Sequence, residues 1–306
     1  MKVIPTYKIA TTQLSISEKI GQLFMPAAFV NDSEEEIQKL EKLIREYHIG
    51  AICFFHSRAS AATNYEGKKE VVYNADSFQT LKNLIQRYQA VSKYPLLIAI
   101  DAEWGLAMRI ENTPQYPYAI TLGAIQNKED LIFKVGQQIA IDCREAGIHW
   151  NLAPVVDINN NPNNPVIGYR SFGGDRLNVT QKAIAFIKGT KSAGVLSCIK
   201  HFPGHGLVEG DTHKQSVYID GKLKEIDVYP PFIDTGVLSI MMAHITIKNN
   251  LKYNTNGLPA SCSRNIVTDL LKGELGFKGL VITDALNIMK AVTIIDNAPL
   301  LASKAG

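Results

Sequence analysis

The chain has 306 residues, 46% hydrophobic and 20% charged, which excludes disordered, collagen-like and disulfide-scaffold proteins. Its 32 Lys and Arg against 29 Asp and Glu give a net charge of +3 with no long basic run, so bulk electrostatics give nucleic-acid binding no support. The longest apolar runs, such as 96–100 and 279–282, are strand-sized and far short of the ~20 residues of a bilayer span.

Short apolar runs alternate with longer helical patterns along the chain. The runs predict strands at QLFMPA (22–27), GAICFF (50–55), LLIAI (96–100), IHWNL (148–152), VLSCI (195–199), LSIMMA (238–243) and GLVIT (279–283). Helices are predicted over roughly 33–47, 76–92, 128–146, 177–193 and 263–273. The clearest is 128–146, where Leu131, Val135, Ile139 and Cys143 recur every four residues and Gly147 follows as a stop. Strands that are apolar throughout, each followed by a helix, imply a parallel sheet covered by helices. The expected fold is an α/β barrel of (β/α)8, TIM type, in a single domain over 1–306, with an open doubly wound sheet as the alternative. The chain ends at LLASKAG, where an eighth strand would begin. The expectation is a fragment truncated at that end, or an unusual closure.

Cys53 and Cys198 sit inside apolar runs and read as core thiols, and the four cysteines form no CxxC pair. Core thiols and a start without a signal-like apolar stretch favour the cytoplasm. The periplasm or export stays open if a leader precedes residue 1. A polar stretch at 56–75 is long for a connection, and reads either as a substrate-side loop or as a solvated insertion.

Polar residues recur where the apolar runs end: Asp101, Asp157, Lys200 with His201, His244, and Asp284. In a barrel the carboxyl ends of the strands share the face that carries active sites. One such Asp is commonly a helix N-cap; five strands ending alike point to an enzyme. The densest segment, KHFPGHGLVEGDTHKQ (200–215), holds three of the seven histidines, His201, His205 and His213, with Lys200 and Asp211. Its glycines and Pro203 make it a loop. Two chemistries compete there. Three histidines and an aspartate could ligate a metal, although the spacing H-x3-H-x7-H matches no standard site. Alternatively, Asp211 orients the His213 imidazole as a general acid/base.

KHFPGHG, four residues, then D-T-H resembles the signature K-H-[FI]-P-G-H-G-x4-D-[ST]-H of family 3 glycoside hydrolases, more narrowly their bacterial β-N-acetylglucosaminidase branch. LSISEKIGQLFM, NLAPVVDINNNPNNPVIGYRSFGGD, MMAHI and GELGFKGLVITDAL agree in order, so the resemblance covers nearly the whole chain. It implies a TIM-type barrel and a retaining hydrolase acting on β-linked N-acetylglucosamine in peptidoglycan-derived fragments, with no metal or organic cofactor. By the same resemblance Asp284 is the nucleophile, His213 the acid/base and Asp211 its partner. Lys200, His201, Arg170, Asp101 and Arg109 hold the sugar.

This chain departs from the family run D-Q-E-G-G-R-V-x-R, reading DAEWGLAMR, with Leu106 for the first arginine and Trp104 for a glycine. It also has Thr283-Asp284-Ala285 where two adjacent aspartates are usual. These changes leave the catalytic pair intact and bear on the outer pocket. Asp157 reads as an orienting residue and His205 as a loop brace. Trp104 and Trp150 are candidates for sugar stacking, with Trp150 favouring the core. Retention needs a carboxylate on one face of the sugar and a proton donor on the other, a donor worth roughly 10²–10⁴ in rate. The alternatives kept are Asp211 or Glu209 as the acid, a β-glucosidase of the same family, a metal-dependent barrel hydrolase using His201, His205 and His213, and a sugar-binding protein without turnover. The expected partner is a carbohydrate substrate, with no nucleic acid and no membrane span. The oligomeric state is open, with a monomer favoured.

Overall fold

The computed structural model describes residues 6–55 and 73–306. Most of the polar stretch singled out above, 56–72, therefore lies outside the described residues. The chain divides into two compact units, Met1–Tyr116 with Ile139–Asn151, and Pro117–Gln138 with Leu152–Gly306.

In the first unit, strands β1 (Ala27–Phe29), β2 (Ala51–Phe55), β3 (Leu97–Ile100) and β4 (Trp150–Asn151) pair in sequence order, all parallel. Helix Glu34–Tyr47 follows β1. Ser33 caps it reciprocally with Glu36, Glu34–Glu36 face the positive end of its dipole, and Ile37, Leu40 and Ile44 form its buried stripe. His48 ends the helix in the left-handed region. Helix Ser77–Val91 buries Leu81, Leu84, Ile85 and Tyr88 in the same manner.

In the second unit, β5 (Leu196–Phe202), β7 (Ser239–Met242) and β9 (Leu280–Thr283) form a parallel array in the order β5-β7-β9. A separate parallel ribbon joins β6 (Val217–Asp220) to β8 (Ile245–Lys248). All of β7 and all but the first residue of β5 are buried, as expected of parallel strands covered on both faces. Helix Arg176–Ser192 precedes β5, with Asp175 as its N-cap accepting the Asn178 N–H. Helix Asn265–Glu274 precedes β9 and is wound wider than an α-helix. After β9 come helices Lys290–Thr293 and Ala298–Ala305, with no further strand among the described residues.

Both units therefore carry the expected α/β alternation of parallel strand and helix. Six predicted strands fall within two residues of the observed starts. The first does not: residues 22–24 turn off helix Ile16–Gly21, Gln22 donates its side-chain amide to the His48 carbonyl, and β1 begins only at Ala27. The ribbon β6–β8 was not expected. No described helix is long and apolar enough to cross a membrane.

Candidate active site

The register of the second unit fixes where its functional groups emerge. Lys200, Met241 and Ile282 lie in one row across β5, β7 and β9, and Phe202, Met242 and Thr283 in the next. The extra residue in β5 between these rows is His201, a bulge of the kind that re-aims a side chain at a sheet end. Lys200 and His201 thus belong to the strand and not to the loop after it. Asp284 follows directly on the last row, its N–H donating to the Met242 carbonyl at 3.1 Å.

Asp284 is partly open to solvent, and its Oδ1 accepts the Ala285 N–H at 2.8 Å. Burial of the carboxyl works against ionisation. The imidazoles of His201 and His244, the Ala285 N–H and His213 outweigh it and hold the pKa down at about 2. Near neutral pH this side chain is a carboxylate. His244 is clamped beneath it, with Nδ1 2.7 Å from Ser261 Oγ and Nε2 3.2 Å from the Ala285 carbonyl oxygen. A carbonyl only accepts, so Nε2 carries the hydrogen and Nδ1 accepts from Ser261. Burial first lowers the His244 pKa, against a smaller pull from Asp284.

His213 stands on the loop after β5. Asp211 Oδ1 accepts both its backbone N–H, at 2.9 Å, and its ring Nδ1, at 2.8 Å. A carboxylate oxygen accepts, so Nδ1 is the protonated nitrogen and Nε2 is the atom able to exchange a proton. The ring keeps some exposure and Asp211 is buried. Two N–H groups from the helix after Asp284 reach this segment: Lys290 donates to the His213 carbonyl and Ala291 to that of Thr212. Met289 and Val292 pin that helix in a small apolar cluster with Cys262 and Ala298.

His201 has the same arrangement one layer deeper. Asp157, with no solvent exposure, accepts the His201 ring Nδ1 at 2.7 Å, the His201 N–H at 3.2 Å and the His205 N–H at 2.7 Å. Burial opposes ionisation of Asp157, and the His201 imidazole with these donors more than offsets it, leaving the carboxyl below its ordinary range. His205 packs edge-on against His201, ring centroids 5.9 Å apart. Both its ring nitrogens are buried without a hydrogen-bond partner, and burial lowers its pKa to about 4. It is therefore neutral and acts on the loop through its backbone.

The Asn-rich segment 159–164 ties Arg170 to the same loop. Asn164 donates to the carbonyls of His205 and Val208 and accepts the N–H groups of Val166 and Ile167. Val166 and Ile167 pack on Val155, and Arg170, half-buried, leaves the end of that turn with Nη1 directed to the Val166 carbonyl. Lys200 is almost fully buried beside this cluster in β5. The glycines of the loop serve close approach: a Cβ on Gly206 would stand 1.9 Å from the Ile158 carbonyl oxygen, and one on Gly204 2.4 Å from Glu225 Cβ. Glu209 is exposed.

In the first unit Asp101 and Arg109 form a buried ion pair at 2.8 Å, and the guanidinium lies over the Phe55 ring at 5.1 Å. Asn151 at the end of β4 fixes the backbone after Asp101, bonding both the N–H and the carbonyl of Ala102. Trp104, Leu106 and Trp150 are all buried. The departures from the family run are absorbed in packing.

The residues brought together are thus Asp211 with His213, Asp157 with His201, Asp284 among three imidazoles, and Asp101 with Arg109. Among the described residues no group of three or more His, Cys, Asp or Glu is placed to hold a metal ion, and the His201 and His213 Nδ1 atoms are taken up by carboxylates. Sequence reasoning missed Glu225 altogether. Its buried carboxyl group accepts the N–H groups of Ile158, Gly206 and Leu207. Its segment, KLKEIDVYPP, reads as a solvated turn, and no spacing signals it.

The fold is α/β with parallel strands, and residues 15–305 match the Glycosyl hydrolase family 3 N terminal domain. The chain belongs to glycoside hydrolase family 3. It is 35% identical to beta-hexosaminidase A of Pseudoalteromonas piscicida over 268 residues, 82% of this chain and 43% of that protein. It is 27% identical to a beta-N-acetylglucosaminidase/beta-glucosidase of Cellulomonas fimi, over 92% of this chain and 48% of that one. The solved structure of a family 3 beta-N-acetylglucosaminidase from a Paenibacillus species superposes with a TM-score of 0.79 at 30% identity, covering 96% of this chain and 54% of that one. The chain thus spans about half the length of these relatives.

Proposed function

We propose that the chain carries the catalytic machinery of a retaining β-N-acetylglucosaminidase, releasing terminal β-linked N-acetylglucosamine, with peptidoglycan-derived fragments as its source. The observation that carries this reading is the pairing of an ionised Asp284 at the end of β9 with a His213 whose Nδ1 is held by Asp211. The first step forms a bond from an Asp284 carboxylate oxygen to the anomeric carbon and breaks the bond to the leaving oxygen, which takes the proton from His213 Nε2. In the second step Nε2 accepts a proton from water, the water oxygen attacks the same carbon, and Asp284 leaves.

A carboxylate held near pKa 2 is a stable anion throughout the working range, and a rigid strand end suits a nucleophile that must hold its line of attack. Lys200, Arg170 and His201 are the groups assigned to the sugar hydroxyls. His201 presents Nε2 because Asp157 occupies its Nδ1. Asp101 and Arg109 are assigned to substrate as well, each orienting the other through their ion pair.

The relatives' names support an N-acetylglucosaminide, and the double name of the Cellulomonas protein supports a glucoside as the second reading. The test is nitrophenol release from aryl N-acetyl-β-glucosaminide and aryl β-glucoside, with and without EDTA, for wild type and Asp284→Ala. Chelator-insensitive release from the acetylated sugar, lost in the variant, is expected. Faster release from the glucoside establishes the second reading. Release that vanishes with EDTA, or no release from a folded protein, overturns the mechanism.

A further inference from the structure

The catalytic loop leaves β5 at Phe202, and His213 stands eleven residues later. A chain of that length, extended, could reach over ~30 Å, so His213 is useful as an acid only if the loop is fixed along its course. Its far end is fixed by the Lys290 and Ala291 N–H bonds to His213 and Thr212. Its middle is fixed by Val208, buried with Val217, Ala243 and Ile245 beside the ribbon β6–β8. Its root, residues 204–207, lies against two buried acidic side chains. Asp157 takes the N–H of His205 at 2.7 Å. Glu225 Oε2 takes the Gly206 N–H at 3.2 Å and the Ile158 N–H at 2.9 Å, and Oε1 takes the Leu207 N–H at 3.0 Å.

We propose that Glu225 is a positioning residue for general acid catalysis, clamping the root of the loop that carries the Asp211–His213 dyad. The inference rests on the assignment of His213 as acid/base. Three features make the clamp specific. Its oxygens collect three backbone donors from two segments, so the loop and the turn after Asp157 are set against one another by one side chain. Its stem fills the space a Cβ on Gly204 would need, so the loop lies flat on it. The carboxyl is 4% exposed, so water does not compete for these donors. Among the described residues the Glu225 carboxyl bonds only Ile158, Gly206 and Leu207, so its effect on the dyad passes through loop geometry.

Gln at 225 keeps the shape and one acceptor oxygen, but its amide NH2 meets an N–H where Oε1 or Oε2 stood. Ala removes all three bonds. Gly204→Ala is the second variant: it leaves the Glu225 carboxyl chemically intact, while its Cβ, 2.4 Å from Glu225 Cβ and at a φ of +122°, forces the loop off the stem. The assay is kcat/KM on aryl N-acetyl-β-glucosaminides whose phenols range from strongly to weakly acidic. A displaced acid matters little when the leaving group needs no proton. Glu225→Ala and Gly204→Ala are therefore expected near wild type on dinitrophenyl substrates and down about 10²-fold on unactivated ones, with Glu225→Gln between. An equal loss on every leaving group, or no loss, overturns the proposal.

Amide hydrogen exchange decides the clamp independently of turnover. Faster exchange over 204–213 in Glu225→Gln, with β7 unchanged, is expected; unchanged exchange over 204–213 overturns the proposal. A wild type inactive on every aryl glycoside refutes the assignment of the reaction, and the exchange result still decides whether Glu225 holds the loop.

Discussion

Replacing Asp157 gives the sharpest energetic test of how the site is built. The side chain has no solvent exposure and accepts two backbone N–H groups and the His201 ring nitrogen. Asp157→Ala orphans all three donors in a space water does not reach. Each unsatisfied buried donor costs about 1–3 kcal/mol, so with three orphaned a loss of at least about 3 kcal/mol is expected. Asp157→Asn retains one acceptor oxygen and is expected to lose about half as much. Urea unfolding followed by near-ultraviolet circular dichroism reads both. The pH dependence carries the sign. The folded carboxyl lies below its ordinary value of 3.8, so its stabilisation is fully present above that value and is lost as pH falls through the folded pKa. The gap between wild type and Asp157→Asn is therefore full near pH 6 and closes on acidification below about pH 4. A variant within 1 kcal/mol of wild type near neutrality, or a gap that widens in acid, refutes the reasoning.

Gly206→Ala places a methyl 1.9 Å from the Ile158 carbonyl oxygen, between two backbones that cannot both yield. A stability loss of about 1–3 kcal/mol or more is expected, accompanied by loss of activity, and an unchanged melting profile contradicts it. Glu225 titrates in the opposite sense to Asp157. Burial, then the Asp157 carboxylate, push its pKa up to about 7 against the pull of three N–H groups, and Tyr229 shares the pocket without adding a positive charge. Its contribution is fully present below 4.5 and is lost as pH rises through about 7, so wild type is expected to lose stability over that window and Glu225→Gln to lose less. Ser261→Ala removes the donor to His244 Nδ1, at about 1 kcal/mol. Nitrogen NMR is expected to show His244 leaving the single Nε2–H tautomer, and a spectrum identical to wild type contradicts the assignment.

The parallel strands were legible because burial on both faces writes them as unbroken apolar runs, and GAICFF, LLIAI and LSIMMA each became a strand. The strand at QLFMPA was displaced because Leu23 and Phe24, though apolar, are exposed in a turn off a capped helix. The ribbon β6–β8 was invisible for a related reason: Val217–Asp220 alternates buried and open positions and is too short for alternation to stand out. KHF reads as loop because Pro203 and the glycines follow it, yet the strand runs through it to Phe202. Asp157, forty-four residues upstream, makes burial of His201 affordable in the low-dielectric interior, and such a partner is not visible locally. The dyad was legible because its partners are two residues apart. Glu225 was not, since its three bonds go to backbone, which carries no sequence signature.

The central claim is a glycosyl-enzyme on Asp284, and trapping it tests that most directly. The protein is incubated with a 5-fluoro N-acetyl-β-glucosaminyl fluoride, which slows turnover of the intermediate more than its formation, then digested and mapped by tandem mass spectrometry. The account predicts one added sugar, on Asp284, in wild type and in Glu225→Gln, and none in Asp284→Ala. A sugar on Asp211 or Glu209, or turnover of the reagent with no covalent adduct, contradicts it.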